Sequence, residues 1–532
     1  MTKIIIGNVY SQIINLNNDK VFKQIDDVLS YFVAGHEFSS AFTKGFWSYK
    51  ENRFCKWDGK SHLFLKNGRF LSGLLSRIIS ILNSNGIQYE IDDQRKQIQY
   101  GPEINLKNVQ IRDYQQRVLE SCLKNECGLV NAATGSGKTI MICDLISHTN
   151  VKTIVYVVSK DLLFQTHSEL ERILGQKVGI IGDGIANIEK INVASIWTCA
   201  IALGEKKYEK FDDEDIVNEK WNDTNKSKII KMIKGAEMAL FDESQFIATK
   251  TIILINNASV SARRKYGFSG TNFREDGADI LLEAVCGKII VEVTSSELIK
   301  QKFLVEPEIH FITVPKKEFK DDTYPKVYKE YIVENEERNN LIVKATAKLV
   351  EMGHNVLLLI KNLKHGRVLL ELLENQYPTY FIKGETEAED RIVIKKQFEE
   401  GTIKVLIASS ILDQGVNLPS ISALVLCGGG KSAGRTIQRI GRVLRPFPGK
   451  EKAIIIDFID QAPHLLRHTK RRIEVYRRES GFRIILPKKP ENKGIISSRK
   501  NKNGNNNDTE TKTKKKKAKR VQPGSDGGKM PW

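Results

Sequence analysis

The feature that most constrains this chain is the string Ala132-Ala133-Thr134-Gly135-Ser136-Gly137-Lys138-Thr139. An apolar run, Gly128-Leu129-Val130, leads in, and Ile140-Met141-Ile142-Cys143-Asp144-Leu145-Ile146 leads out. That order predicts strand, glycine-rich turn and helix, the setting in which backbone N–H groups and a helix N-terminus cradle phosphate oxygens. In such a loop Ala132, Ala133, Thr134, Gly135, Ser136 and Gly137 wrap the phosphates. Lys138 neutralises β- and γ-phosphate charge, and the Thr139 hydroxyl ligates Mg²⁺. A chance glycine turn between a buried strand and a helix does not account for the whole string with its flanks. The expectation is a nucleoside triphosphate site using ATP and Mg²⁺.

A chain of 532 residues has room for about two to four domains with sizeable cores. With 41% hydrophobic and 28% charged residues it reads as globular, and apolar runs such as Val356-Leu357-Leu358-Leu359-Ile360 are too short to span a bilayer. Met1 to Gly7 lacks the long apolar region of a signal peptide. The seven cysteines are scattered with no C-x-x-C pair, so reduced thiols, a cytoplasmic location and no membrane partner are expected. The net charge is +19, of which residues 487–532 carry +10 from 14 Lys+Arg against 4 Asp+Glu. A basic body with a nucleotide site favours a polyanionic partner.

Residues 1–100 read as a small α/β domain in which aromatic and basic residues interleave: Phe46, Trp47, Tyr49, Lys50, Arg53, Phe54, Lys56, Trp57. Trp57-Asp58-Gly59-Lys60 has the form of a tight turn, 61–65 of a returning strand, and 71–82 of a helix. Exposed aromatics with lysines would stack bases and hold phosphates, which makes Lys56, Trp57 and Lys60 nucleic-acid candidates. The same rings could instead be the core of a small domain, and the sequence leaves both open. From Gln110 the spacing becomes that of alternating strands and helices. A helix runs to about Lys124, and strands are expected at 153–158, 191–196, 238–241 and 266–269. A charged surface insertion falls between 204 and 234. A second α/β series begins after Glu306, with strands at 356–360, 380–382, 405–408, 423–426 and 453–456. It has no second phosphate loop, which suggests two related domains sharing one nucleotide. The Lys/Asn/Gly-rich stretch 487–532 cannot bury a core and is expected to be disordered.

A second motif, Ala239-Leu240-Phe241-Asp242-Glu243-Ser244-Gln245, is a buried strand delivering two carboxylates at its C-terminal end. Asp242 can hold Mg²⁺ and Glu243 can orient and deprotonate the attacking water. Gln438-Arg439-Ile440-Gly441-Arg442-Val443-Leu444-Arg445 places Arg442 and Arg445 three apart, on one face of a helix. Guanidinium groups reaching the γ-phosphate from an opposing domain stabilise transition-state charge.

Together these motifs resemble helicase superfamily two, whose phosphate loop takes the A-x-x-G-x-G-K-T form and whose second motif begins Asp-Glu. The resemblance implies two tandem RecA-like domains, residues 101–305 and 306–486, preceded by an N-terminal DNA-binding domain over 1–100 and followed by the basic tail. It implies further roles. Arg112 and Gln115 look like the adenine-contacting element, and Ser269-Gly270-Thr271 looks like the motif that links nucleotide state to domain closure. Gly415 and Asn417 stand in the places that face the nucleotide, Gln438 belongs with the arginine motif, and Thr198 and Ser409 would lie near nucleic acid. Trp197 stands where glutamine is usual, and Gln414 replaces an arginine many members have. Within the superfamily, Lys56-Trp57-Asp58-Gly59-Lys60 resembles a stretch found in phage recombination helicases. That likeness implies an ATP-driven enzyme that remodels branched DNA: forks, Holliday junctions and RNA–DNA loops. The partners expected are branched, single-stranded or duplex DNA and RNA–DNA hybrid, met by a monomer. Rival readings are an RNA helicase or transcript-release factor with the same engine, and a strand-annealing protein whose ATPase times release.

Overall fold

The structure, a computed structural model, describes residues 1–33, 35–49, 52–205, 223–247, 249–270, 279–383, 386, 388–409, 420–430, 440–441, 443–479 and 481–487. The N-terminal sheet has the strand order Arg69–Leu71, Tyr10–Ile14, Thr2–Ile6, Tyr89–Asp93. Alternation in Thr2–Ile6 turns Ile4 and Ile6 inward, onto Val21 and Ile25 of helix Asp19–Val28 and Ile78 and Leu82 of helix Leu75–Ser84. The helix expected over 71–82 starts as a 3₁₀ turn at Ser72–Leu74.

This core is completed from elsewhere in the chain. Helix Asp279–Cys286 contributes Ile280, Leu281 and Ala284 to it, while its other side gives Leu282, Val285 and Cys286 to the core of the next sheet. A helix with apolar residues on two faces must be covered on both. Arg77 grips the same helix with two hydrogen bonds to Glu283, 2.8 and 2.7 Å. Beside it Lys265 donates to the carbonyl of Asn8 and to Asn256 Oδ1, both at 2.6 Å, and burial pulls its ammonium down to about 8. Arg263 donates to Glu126 at 2.6 Å, and Arg95 bridges Asp93 and Glu126. The Arg95 hydrogen bond is the main cause that holds Asp93 at about 2. The segment after Asp93 then runs along the second sheet domain, with Gly101 and Ile104 donating to the carbonyls of Thr149 and Ser147.

Between Leu29 and Leu63 two ribbons project from this domain. Ser30–Phe32 pairs with Lys60–His62, and Phe46–Ser48 pairs with Arg53–Cys55. The return strand expected at 61–65 is thus displaced to Lys60–His62. Gly59, at φ 81°, sets the turn before it.

The second sheet has eight strands in the order Ile185–Asn187, Gly179–Gly182, Ile191–Ser195, Thr153–Val157, Met238–Asp242, Arg264–Ser269, Cys127–Ala132, Ile289–Val293. All neighbours are parallel except the first pair. Ile191–Ser195, Thr153–Val157 and Met238–Asp242 are buried at every residue, as parallel strands covered by helices on both faces must be. The third sheet has seven parallel strands, Thr379–Ile382, Val405–Ala408, Val356–Leu359, Ala423–Leu426, Lys452–Asp460, Glu306–Val314 and Arg483–Ile485. No helix among the described residues is long and apolar enough to cross a membrane.

Because Leu281 belongs to the N-terminal core, Leu281→Ala should cost about 2–5 kcal/mol of stability. It should also lower amide hydrogen-exchange protection in residues 1–93. Loss confined to the helix Asp279–Cys286 would show that the two cores are not shared.

Candidate active site

Parallel strands all end at the same edge of their sheet, which is where such sheets present ligand-binding loops. Cys127–Ala132 and Met238–Asp242 flank Arg264–Ser269, so the glycine loop and the two carboxylates emerge side by side. Gly135 and Gly137 adopt φ of 88° and 80°, values that L side chains resist. Helix Lys138–Thr149 starts directly after them.

The loop is held from below by its own domain. Tyr114 Oη and Gln115 Nε2 both donate to the Ser136 carbonyl, at 2.9 and 3.1 Å, and the Arg112 N–H donates to Gln115 Oε1 at 3.0 Å. Both ends of the Gln115 amide are therefore engaged in clamping the loop. The Arg112 guanidinium lies 3.9 Å over the Phe303 ring and donates to Tyr114 Oη at 2.9 Å. Sequence reasoning missed Phe303, which sits in the link between the two large sheets and belongs to no recognisable motif.

Lys138 Nζ meets Glu243 Oε1 at 2.9 Å, and Gln245 Nε2 donates to Glu243 Oε2 at 2.8 Å. Glu243 takes the left-handed conformation, φ 49°, uncommon for a side-chain-bearing residue. Burial first, and the Glu243 charge second, push Asp242 up to about 7, while Lys138 pulls the other way. A divalent cation at Asp242 would reverse that imbalance. Among the described residues Thr134 Oγ1 and Ser136 Oγ are buried without hydrogen-bond partners, as fits a loop shaped for anionic oxygens. Among the described residues no group of three or more His, Cys, Asp or Glu is placed to hold a metal. A Mg²⁺ bound by Asp242 and the Thr139 hydroxyl would therefore complete its shell with water and phosphate oxygens. The residues present fit MgATP.

The third sheet's domain reaches the same loop. A Cβ at Gly441 would stand 2.5 Å from Thr134 Cβ, and the Val305 N–H donates to the Leu444 carbonyl at 2.8 Å. Arg445, on the same segment, is half-buried; desolvation lowers its pKa, and the Glu169 charge opposes that. Glu169 also adds to the upward shift of Asp242, a contribution no spacing in the sequence announced. Gln438, Arg442, Gly415 and Asn417 lie outside the described residues, as do Thr271 and Gln414.

The nucleic-acid candidates are dispersed. Trp57 is half-buried, and its indole N–H donates to the Lys60 carbonyl at 2.8 Å, so this ring braces the turn. Lys56 lies 5.8 Å over the Phe42 ring, and Lys60 lies 5.5 Å over Phe32 and 3.5 Å from Asp27. The rings that do face solvent are on the neighbouring ribbon, where Trp47 and Phe54 are directly paired across the strands and Tyr49 is 91% exposed. Thr198 is fully buried and presents no surface to a strand in this conformation. Ser409 follows Val405–Ala408 at the sheet's ligand edge, its hydroxyl buried with no partner among the described residues.

Residues 108–274 match the family described as type III restriction enzyme, res subunit, and residues 337–446 match the helicase conserved C-terminal domain. With two RecA-like sheets facing one phosphate loop, the chain belongs to helicase superfamily two and is an ATP-dependent helicase of that class. Its relatives include the ATP-dependent DNA helicase UvsW of Enterobacteria phage T4, 25% identical over 470 residues, covering 84% of this chain and 88% of that one. Putative helicase 22 of Sulfolobus islandicus filamentous virus (isolate Iceland/Hveragerdi) is 25% identical over 382 residues, covering 67% of this chain and 65%, just under two thirds, of that relative. The DNA 3'-5' translocase XPB2 of Sulfurisphaera tokodaii is 23% identical over 407 residues, covering 69% of this chain and 85% of that one. The crystal structure of T4 UvsW aligns at 22% identity over 91% of this chain and 98% of that chain, with a TM-score of 0.43.

Two substitutions separate charge compensation from water activation. Glu243→Gln should still bind a non-hydrolysable ATP analogue while hydrolysis falls by about 10²–10⁴-fold. Lys138→Ala should abolish hydrolysis with the melting temperature retained. Loss of analogue binding in Glu243→Gln would make Glu243 a structural carboxylate.

Proposed function

We propose that this chain is a DNA motor that remodels branched DNA: forks, Holliday junctions and RNA–DNA loops. When bound, MgATP supplies the phosphoanhydride whose hydrolysis drives the cycle. Lys138 compensates charge on the β- and γ-phosphates, and Thr139 with Asp242 orients the cation. Glu243, released from its pairing with Lys138, positions and deprotonates the water. Arg112 and Gln115 would reach the base only on exchanging their present contacts with Phe303 and the Ser136 carbonyl for it, and Gly415 and Asn417 would border the nucleotide. From the opposite domain Gln438, Arg442 and Arg445 meet the developing charge on the γ-phosphate. The approach of Gly441 to Thr134 supports that reading, because it sets the arginine segment against the phosphate loop. Ser409 would border a bound strand as the domains reorganise, whereas Thr198, fully buried within its own domain, would not. The functional division we propose is 1–100 for nucleic acid, 101–305 and 306–486 for the motor, and 487–532 as a basic tail.

The observation that carries branched DNA as the substrate is the exposed ribbon. Trp47 and Phe54 pair across it with Tyr49 at its tip, beside Lys56 and the turn braced by Trp57 and Lys60. Its domain is anchored to the ATP-binding domain through a shared helix. A base-stacking surface held there can engage a branch while the motor domains hold a strand. The relative UvsW is named a DNA helicase, which supports DNA over RNA.

The test is ATPase stimulation by single-stranded DNA, duplex, fork and RNA in parallel, with unwinding of deproteinised junctions. Forks and junctions should stimulate most, and RNA stimulating equally would overturn the DNA reading. The triple variant Trp47→Ala, Tyr49→Ala, Phe54→Ala should lose about 10- to 100-fold in junction unwinding, since each stacked base is worth ~1–3 kcal/mol. It should keep ATPase stimulated by single-stranded DNA. Equal loss of both activities would show that the ribbon does not select branches.

A further inference from the structure

The helix Leu465–Arg478 has two faces with opposite fates. Its inner face is locked into the third sheet. Arg472 donates to both carboxylate oxygens of Asp457, at 2.9 and 2.8 Å, and Tyr476 Oη donates to Asp457 Oδ2 at 2.9 Å. Thr469 donates to the Phe458 carbonyl at 3.2 Å, and Leu465 and His468 are buried beside it. Arg467, Lys470, Arg471 and Arg477 all point the other way and are exposed. At about 100° per residue these four cations span roughly a third of the helix circumference.

None of the four makes an ion pair or hydrogen bond among the described residues. Glu474 lies on the same face with helix spacing that would suit a pair to Lys470 or Arg471, yet it makes none. An ordinary solvated helix surface interleaves signs and pairs them; here one sign dominates and stays unpaired. The helix begins just past Asp460, at the C-terminal end of strand Lys452–Asp460. Every strand of this sheet is parallel, so that end is the same edge at which Ser409 follows Val405–Ala408.

We infer that the solvent face of Leu465–Arg478 is a second phosphate-backbone contact on the C-terminal motor domain, for nucleic acid extending beyond the Ser409 edge. The inference rests on the nucleic-acid reading above and goes beyond it, since no helicase motif includes these residues. Charge complementarity identifies the occupant. Four cations at fixed positions on an anchored helix match a regular row of phosphates, and they contribute affinity without base preference.

The experiment is binding of a labelled DNA fork to the full chain, followed by anisotropy across a salt series. In the variant Arg467→Gln, Lys470→Gln, Arg471→Gln, Arg477→Gln the slope of log K against log salt should become shallower by about three to four. Neutralising one cation that meets a phosphate takes roughly 0.7–0.9 off that slope. ATPase without nucleic acid and the melting temperature should stay at wild-type values. Glu474→Lys adds a cation to the same face and should steepen the slope by about one, so the inference stays testable even if the quadruple variant folds poorly. Wild-type binding with slopes unchanged in both variants would overturn this contact alone. Absence of fork binding by the wild-type chain would overturn the nucleic-acid reading itself.

Discussion

The phosphate loop has no room for side chains where its neighbours touch it, and the arrangement of the motor follows from that. A Cβ at Gly137 would meet Gln115 Nε2 at 2.7 Å, and one at Gly135 would meet Leu304 Cδ2 at 2.9 Å. Helix Asp113–Lys124, the link between the sheets and the arginine segment of the second motor domain thus pack on a single turn of eight residues. Leu304, Ile440, Val443 and Leu444 are buried in one apolar cluster with Val130, Met141 and Phe311. The contacts around the loop are therefore continuous with both cores. A shift of the loop on binding phosphate cannot be absorbed locally, because close-packed surroundings transmit displacement. The consecutive residues Phe303, Leu304 and Val305 touch Arg112, Gly135 and Leu444 in turn. That run of three residues ties the phosphate loop to both large sheets.

What could be seen in the sequence was the chemistry that demands particular residues at fixed spacing. The glycine loop with Lys138 and Thr139, and the buried strand ending in Asp242-Glu243, stand side by side as their motifs imply. Fully buried strands such as Thr153–Val157 were equally visible, because continuous apolar runs have few other uses. The helix Asp279–Cys286 was not. Apolar on two faces, it announces burial without saying against what, and Leu281 packs with residues some two hundred positions earlier. Strand Glu306–Val314 was hidden for a different reason. Glu306, Pro307, Glu308 and His310 look like a loop, but Glu308 is neutralised across the sheet by Lys452 and Arg483 at 2.9 and 3.0 Å. Pairing between distant strands made a polar segment buriable, and no local pattern encodes that. Trp57 and Trp47 differ in the same way: ten residues apart and similar in context, one braces a turn and the other faces solvent.

The N-terminal domain's attachment bears on what its ribbon can do. A two-stranded ribbon is marginal on its own, and exposing several aromatic rings on it lowers its stability further. Its base, however, belongs to a domain held by a shared helix, the Arg77–Glu283 pair and the Lys265 and Arg263 contacts. The ribbon is thus fixed at its root. The exposed rings are therefore held in a defined position relative to the phosphate loop.

The second motor domain solves its own positioning problem with buried charge. Arg338 pairs with Asp460, and Arg472 with Asp457, all four nearly inaccessible to solvent. Desolvating two ion pairs costs enough that they are poor sources of net stability. Their geometry shows another use. Arg338 Nη1 also donates to the Cys427 carbonyl at 2.9 Å, Tyr328 Oη to that of Gly428 at 3.0 Å, and Arg472 Nη1 to that of Gly430 at 3.1 Å. These three carbonyls belong to the segment that leaves strand Ala423–Leu426 and leads towards Gly441 and Arg445. The carboxylates orient the guanidiniums, and the guanidiniums with Tyr328 fix the exit of the chain. An apolar core could fill the same volume but could not hold backbone carbonyls in one arrangement. The inner face of the basic helix and the exit of the chain at Cys427 to Gly430 therefore share one support, the strand that carries Asp457 and Asp460.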